Sequence, residues 1–231
     1  MTDHLVTRNL SQIREYTKNN IELSKSHHFL YNCLVDKKEN QGDVIIIGLN
    51  PGETEKDFEY RGSLPTEESS EFDFHEEHGR GRSSKNWLTL CKKFSQTNKI
   101  VLTEFFFWSS PQVGENKERG IPFSERFGYK FEDCPHFEFC KEKNIELLEF
   151  HKPSLIMCPG VGYSELFAKI YALDYVGTFR EPVKNRRAVI HYELNGIPFL
   201  FTLHWTSARL TKEETNFIIQ YIGKVTKKLQ S

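Results

Sequence analysis

The sequence predicts an α/β fold, a three-layer α/β/α sandwich around a central, mostly parallel sheet. Two apolar runs read as strands: Val44–Ile47, bounded by Gly48 and of the kind buried on both faces, and Leu155–Met157, ending at Pro159-Gly160. Between and after them lie stretches with apolar residues at helical spacing. Strands and helices alternate through the middle of the chain, which implies parallel strands with helices packed on both faces.

Each element follows in order. Leu10, Ile13, Tyr16, Ile21, Leu23, Phe29, Leu30 and Leu34 place helices over residues 8–35, and the polar run Asp36–Gly42 ends them. Val44–Ile47 is the first strand, and Asn50-Pro51-Gly52 behind it is turn chemistry. Residues 53–83 form an insertion loop without periodicity; between Glu53 and Glu77, ten acids meet only Lys56 and Arg61. Trp87, Leu88, Cys91 and Phe94 predict a helix, and Ile100–Leu102 with Phe105–Phe107 a second strand. A helix around Cys140–Phe150 leads into the strand Leu155–Met157, and Leu166, Phe167 and Ile170 mark the next helix. Asn195-Gly196 between Ala188–Leu194 and Pro198–Leu203 predicts a hairpin. A last helix runs from Lys212 to Leu229, with Thr211 and Glu214 spaced as a capping box. No repeat or linker divides the chain, so residues 1–231 are read as one domain.

Composition bounds the function. Of 231 residues, 38% are hydrophobic and 27% charged, which suits a globule with its own core. No apolar run approaches the ~18 residues of a membrane span, so no membrane partner is expected. The start, Met1–Arg8, lacks the apolar stretch of a signal peptide, and five cysteines form no Cys-x-x-Cys pair. A reducing cytoplasm and a monomer are expected. The net charge of −1 does not mark a nucleic-acid binder, but the halves differ: His151–Ser231 carries 11 Lys or Arg against 6 Asp or Glu. A DNA-facing surface would draw on this C-terminal part.

In parallel sheets, ligands bind beyond the carboxyl ends of the strands, which directs attention to two segments. Gly48-Leu-Asn-Pro-Gly52 follows the first strand, and His204-Trp-Thr-Ser-Ala-Arg209 follows the last. This pair resembles the two signature motifs of the uracil-DNA glycosylase superfamily. Its mismatch-specific and single-strand-selective branches read Gly-x-Asn-Pro-Gly, then His-Pro-Ser before a DNA-inserting loop. Gly81-Arg82-Ser83, Thr103-Glu104, Lys152-Pro153 and Pro159-Gly160-Val161-Gly162 extend the resemblance over about residues 40–229.

The resemblance implies a uracil-DNA glycosylase-like fold and a monofunctional DNA glycosylase that hydrolyses the N-glycosidic bond of a flipped pyrimidine. Asn50, a neutral amide, would hold and orient the attacking water. His204 would donate to the pyrimidine O2 and stabilise the leaving anion. Gly52 would admit the nucleotide close to the backbone. Phe74 is the candidate for stacking on the base. Ser207, Arg209, Arg82 and Lys85 are candidates for DNA contact. No lysine stands in either motif, so no Schiff-base lyase step is implied.

The departures from the family pattern are informative. Trp205-Thr206-Ser207 replaces Pro-Ser, which alters the inserting loop. Many members read the pyrimidine with an Asn near the end of the second strand, where this chain aligns Glu104. An ionised carboxylate only accepts hydrogen bonds, so it suits the N4 amine of cytosine better than the O4 of uracil. A modified cytosine, such as the glucosylated hydroxymethylcytosine of phage DNA, thus stands beside uracil as substrate, and phage defence beside DNA repair. The iron–sulfur ligand spacing of some branches is missing, and no zinc site is expected at His75 and His78, so no cofactor is predicted. Two other readings compete: a catalytically silent, base-sensing DNA-binding protein on the same fold, and a hydrolase of free nucleosides.

Overall fold

Val44–Gly48 is β-branched and apolar at four of five positions, and it forms an inner parallel strand, β2. The computed structural model describes residues 3–26, 28–34, 43–52, 99–205 and 210–228. The 53–83 insertion and the helix expected around Trp87 lie outside them, as does the terminal Leu229 of the last helix.

The strands are β1 (Cys33–Leu34), β2 (Val44–Gly48), β3 (Ile100–Glu104), β4 (Leu155–Pro159), β5 (Asp174–Arg180), β6 (Arg187–Leu194) and β7 (Ile197–Thr202). They form one seven-stranded sheet in the order β1-β3-β2-β4-β7-β6-β5. The four central strands, β3-β2-β4-β7, are parallel; β1 on one flank and the β7-β6-β5 meander on the other are antiparallel. The sheet is therefore mixed, with its parallel part at the centre.

Side chains alternate between the two faces. Ile45, Ile47, Val101 and Ile156 join the core beneath α1 (Asp3–Asn19), α2 (Phe123–Phe127), α3 (Phe137–His151) and α4 (Ser164–Tyr171). Val44, Ile46, Leu102 and Met157 join a second core with Ile218 and Ile222 of α5 (Lys212–Lys228). Helices thus cover both faces. None among the described residues is long and apolar enough to cross a membrane.

Several expectations are met in detail. Asn195 (φ 51°) and Gly196 (φ 81°) are both left-handed, as a two-residue hairpin turn requires. Thr211 and Glu214 form the reciprocal capping box, Thr211 N donating to Glu214 Oε2 at 2.8 Å and Glu214 N to Thr211 Oγ1 at 3.3 Å.

Others are corrected. The helical span of 8–35 ends at Asn19; a 3₁₀ turn, Ile21–Lys25, follows, and Cys33–Leu34 pair with β3 as a strand. Ile21, which extended the helical pattern, is 81% exposed. The strand through Ile100 stops at Glu104 rather than Phe107. Phe105–Trp108 leave the ladder but stay buried, with Phe105 stacked on Phe167 and Trp108 Nε1 donating to Thr17 Oγ1 at 2.8 Å. Strand β5 lacks any apolar signature because it is an exposed edge, and the sequence reading leaves it unassigned.

His151 closes α3, and its Nε2 meets Asn32 Oδ1 at 2.7 Å. Burial lowers its pKa to about 4, so it is neutral in the fold at pH 7. An unfolded histidine titrates near 6.5, so below that pH the unfolded chain binds a proton that the fold refuses. The stability from neutral His151 is fully present above pH 6.5 and is lost as pH falls toward 4. Between pH 7 and 5 the loss is about 2 kcal/mol. Urea unfolding at both pH values should show it, and His151→Gln should flatten the difference.

Candidate functional site

The site is built where the parallel strands end. The chain leaves β2, adds β3 on one side, then crosses to add β4 on the other, so a crevice opens at the carboxyl end of the sheet between the β2 and β4 exits. A cavity of about 300 Å³ lies there, lined by Leu49 after β2, Gly160–Tyr163 after β4, Leu203 and His204 after β7, and Arg186 and Leu210.

The β2 exit is held to the β3 exit by backbone hydrogen bonds. Phe105 N donates to Gly48 O at 2.9 Å, Phe106 N to Leu49 O at 3.0 Å, and Ser110 N to Pro51 O at 3.1 Å. Asn50 sits in this zipper, half-buried. Its Nδ2 donates to Ser110 Oγ at 2.8 Å and to Pro51 O at 3.0 Å. Ser110 spends its hydroxyl proton on Gln112 O at 2.8 Å, so toward Asn50 it accepts. Those two acceptors fix the amide orientation: nitrogen inward, Oδ1 left to accept. An amide clamped this way is suited to orienting a water, since it needs no reorganisation when the water arrives.

His204 stands at the β7 exit, open to solvent and lining the cavity. Protein crowded around its ring nonetheless lowers its pKa by desolvation, which favours the neutral imidazole at pH 7. Strands β2 and β7 are separated only by β4, and neighbouring strands lie about 4.8 Å apart, so their ends stand on the order of 10 Å apart along one rim. The cavity reaches Leu49 and His204; Asn50 is not part of its lining.

Trp205, beside His204, is fully buried, with Nε1 donating to Thr202 Oγ1 at 3.0 Å. It packs in the core beneath α5 and is no stacking platform. Gly52 pairs with Ser110 as an isolated parallel bridge, and a Cβ placed on it would meet nothing within 4 Å. No described residue demands a glycine there.

Glu104 ends β3 and is only 6% exposed. It does not line the cavity. Its carboxylate occupies the space where Gly48 lacks a side chain: a Cβ on Gly48 would fall 2.1 Å from Oε2. The Glu104 carbonyl accepts from Asn144 Nδ2 at 2.9 Å, and Asn144 is locked in turn by Thr103 Oγ1 and Tyr171. This buried network holds the β3 exit in place. The Glu104 charge, with burial the larger cause, also pushes up the thiol pKa of Cys158.

No protein-family model and no curated protein matches this chain. The site therefore stands on its own chemistry.

Phe74, Arg82, Lys85, Ser207 and Arg209 lie outside the described residues. The sequence reading missed Ser110, which orients Asn50, and Arg186, whose Nη1 meets Glu214 Oε1 at 2.7 Å. The run Lys184-Asn-Arg-Arg187 was the available signal for the second. Nothing in the sequence separates Ser110 from other turn serines.

Proposed function

We propose that this chain is a monofunctional DNA glycosylase that hydrolyses the N-glycosidic bond of a flipped pyrimidine. The observation that carries the reading is the fixed Asn50 amide, its Oδ1 left to accept among the described residues, on the same sheet rim as a predominantly neutral histidine. Water, held through Asn50 Oδ1, bonds to the anomeric carbon as the carbon–nitrogen bond breaks. The electron pair of that bond leaves with the base, whose O2 receives a hydrogen bond from His204. Water supplies the proton that neutralises the base. Gly52 supports close approach of a nucleotide, since no contact among the described residues accounts for the glycine.

The substrate is a pyrimidine in DNA, with a modified cytosine favoured over uracil. The support is Glu104, whose carboxylate, when ionised, offers only acceptors, as an N4 amine requires. For that contact the carboxylate must reach the base from its place over Gly48.

Incubation with duplexes containing uracil or glucosylated hydroxymethylcytosine, followed by mass spectrometry of freed bases, tests both points. Release of the cytosine derivative is the expected result. Release of uracil alone removes the cytosine assignment. DNA binding without release of any base replaces the enzyme by a silent base-sensing protein.

A further inference from the structure

We infer that residues 180–187, from the end of β5 into β6, are a preformed clamp for a nucleic-acid phosphate backbone, with Arg186 as its inner finger at the cavity. The inference rests on the reading that this crevice receives DNA.

The segment carries Arg180, Lys184, Arg186 and Arg187 against one acid, Glu181. That acid is turned inward and 1% exposed. Its Oε1 accepts from Val183 N at 2.6 Å and its Oε2 from Lys184 N at 2.7 Å. Glu181 N donates to Arg186 O at 2.9 Å, and Arg180 Nη1 to Asn185 O at 2.7 Å. The turn is thus built before any ligand arrives, and binding need not order it. The one negative charge is used to shape the turn, so the charge displayed to solvent is almost wholly basic.

The cations are also poorly matched within the fold. Arg180 and Arg187 are directly opposite in the β5–β6 register, an arrangement that destabilises a sheet when both charges are alike. Among the described residues neither of them, nor Lys184, comes within ion-pair distance of a carboxylate, although Lys184 lies near enough to Glu213 to favour its charge; the pairing in this region is Arg186 with Glu214. An external polyanion would relieve that repulsion.

Arg186 joins the segment to the cavity. Its Nη1 is held by the fully buried Glu214, whose other oxygen takes the Thr211 N–H at the start of α5. One such bond leaves the guanidinium with further N–H donors, and Arg186 lines the cavity beside His204. A lone anion needs a single such group. Four cations leading away from the cavity along one extended turn match a repeating charge, which is the chemistry of a nucleic-acid strand.

The test is the triple variant Arg180→Gln, Lys184→Gln, Arg187→Gln in the full chain, titrated with an unmodified duplex across salt concentrations. Affinity should fall at least about tenfold, and the slope of log K against log salt should become shallower by about 2–3 units, near 0.9 per lost phosphate contact. The melting temperature should hold or rise, because the Arg180–Arg187 repulsion is gone. Adding Arg186→Gln with Glu214→Gln, so that no buried carboxylate is stranded, should remove about one unit more. Wild-type affinity and slope in the triple variant overturn the clamp, even if the protein releases bases. Wild-type duplex binding that loses this slope in the variant, with no base released from any duplex, leaves the clamp and removes the glycosylase. Competition by poly-glutamate as effective as that by DNA overturns the nucleic-acid assignment.

Discussion

Asn50→Ala is expected to lower base release about 100- to 1,000-fold while duplex affinity stays within a few-fold of wild type. The magnitude is that of removing one preorganised polar group from a reacting centre, or of losing its placement of a reactant. The geometry shows why the loss should be catalytic. Nδ2 is committed to Ser110 Oγ and Pro51 O, so Oδ1 is the part of the side chain able to meet a water. Alanine also removes those two internal hydrogen bonds, at about 1 kcal/mol each. A thermal melt must therefore accompany the assay; a drop of a few degrees does not account for a hundredfold loss at 25 °C. His204→Ala should produce a similar fall, and gel-shift titration with both variants separates chemistry from binding. Equal rates of release in wild type and Asn50→Ala would sink the assignment of Asn50.

Gly48→Ala is expected to destabilise the fold by about 2–3 kcal/mol, the cost of overpacking a filled interior. For a chain of this size that is a fall in melting temperature of roughly 5–10 °C. The new methyl would lie 2.1 Å from Glu104 Oε2 and 2.7 Å from its carboxyl carbon, so the carboxylate must move. Its room is limited, because the Glu104 side chain is buried and its backbone is held by Asn144 and by the register pairing with Gly48. Glu104→Ala removes the obstacle. The double variant should therefore be more stable than the sum of the single effects predicts, with a coupling of at least about 1 kcal/mol. Simple additivity by calorimetry would mean that the carboxylate does not occupy that space. The same pair bears on substrate choice: Glu104→Gln, which adds a donor, should move release from cytosine derivatives toward uracil.

The difference between Gly48 and Gly52 shows how far motif reading reaches. Both belong to one five-residue motif. Gly48 is demanded from within, by a carboxylate 56 positions further along the chain; Gly52 is not, since a Cβ there meets nothing among the described residues. No spacing rule separates them, because the deciding neighbour arrives through strand pairing. Trp205 makes the same point: a tryptophan beside a candidate histidine is legible as a stacking or a packing group, and only the closing of α5 over β7 makes it core. Edge strand β5 escaped detection because an exposed strand has no need of the apolar pattern that marks a buried one.

The chain's own letters determined what short-range physics can decide. These are the buried β-branched strands, the Asn195-Gly196 turn, the Thr211–Glu214 cap, and the proposal that Asn50 and His204 bear chemistry. Tertiary structure alone decided what depends on partners distant in sequence. Ser110 sets the direction of the Asn50 amide, and Glu104 fills the place of the missing Gly48 side chain. Glu214 holds Arg186 at the rim of the cavity. The physical reason is common to all three: hydrogen-bond direction and excluded volume act over a few ångströms, and only strand order and helix docking bring residues dozens of positions apart within that range.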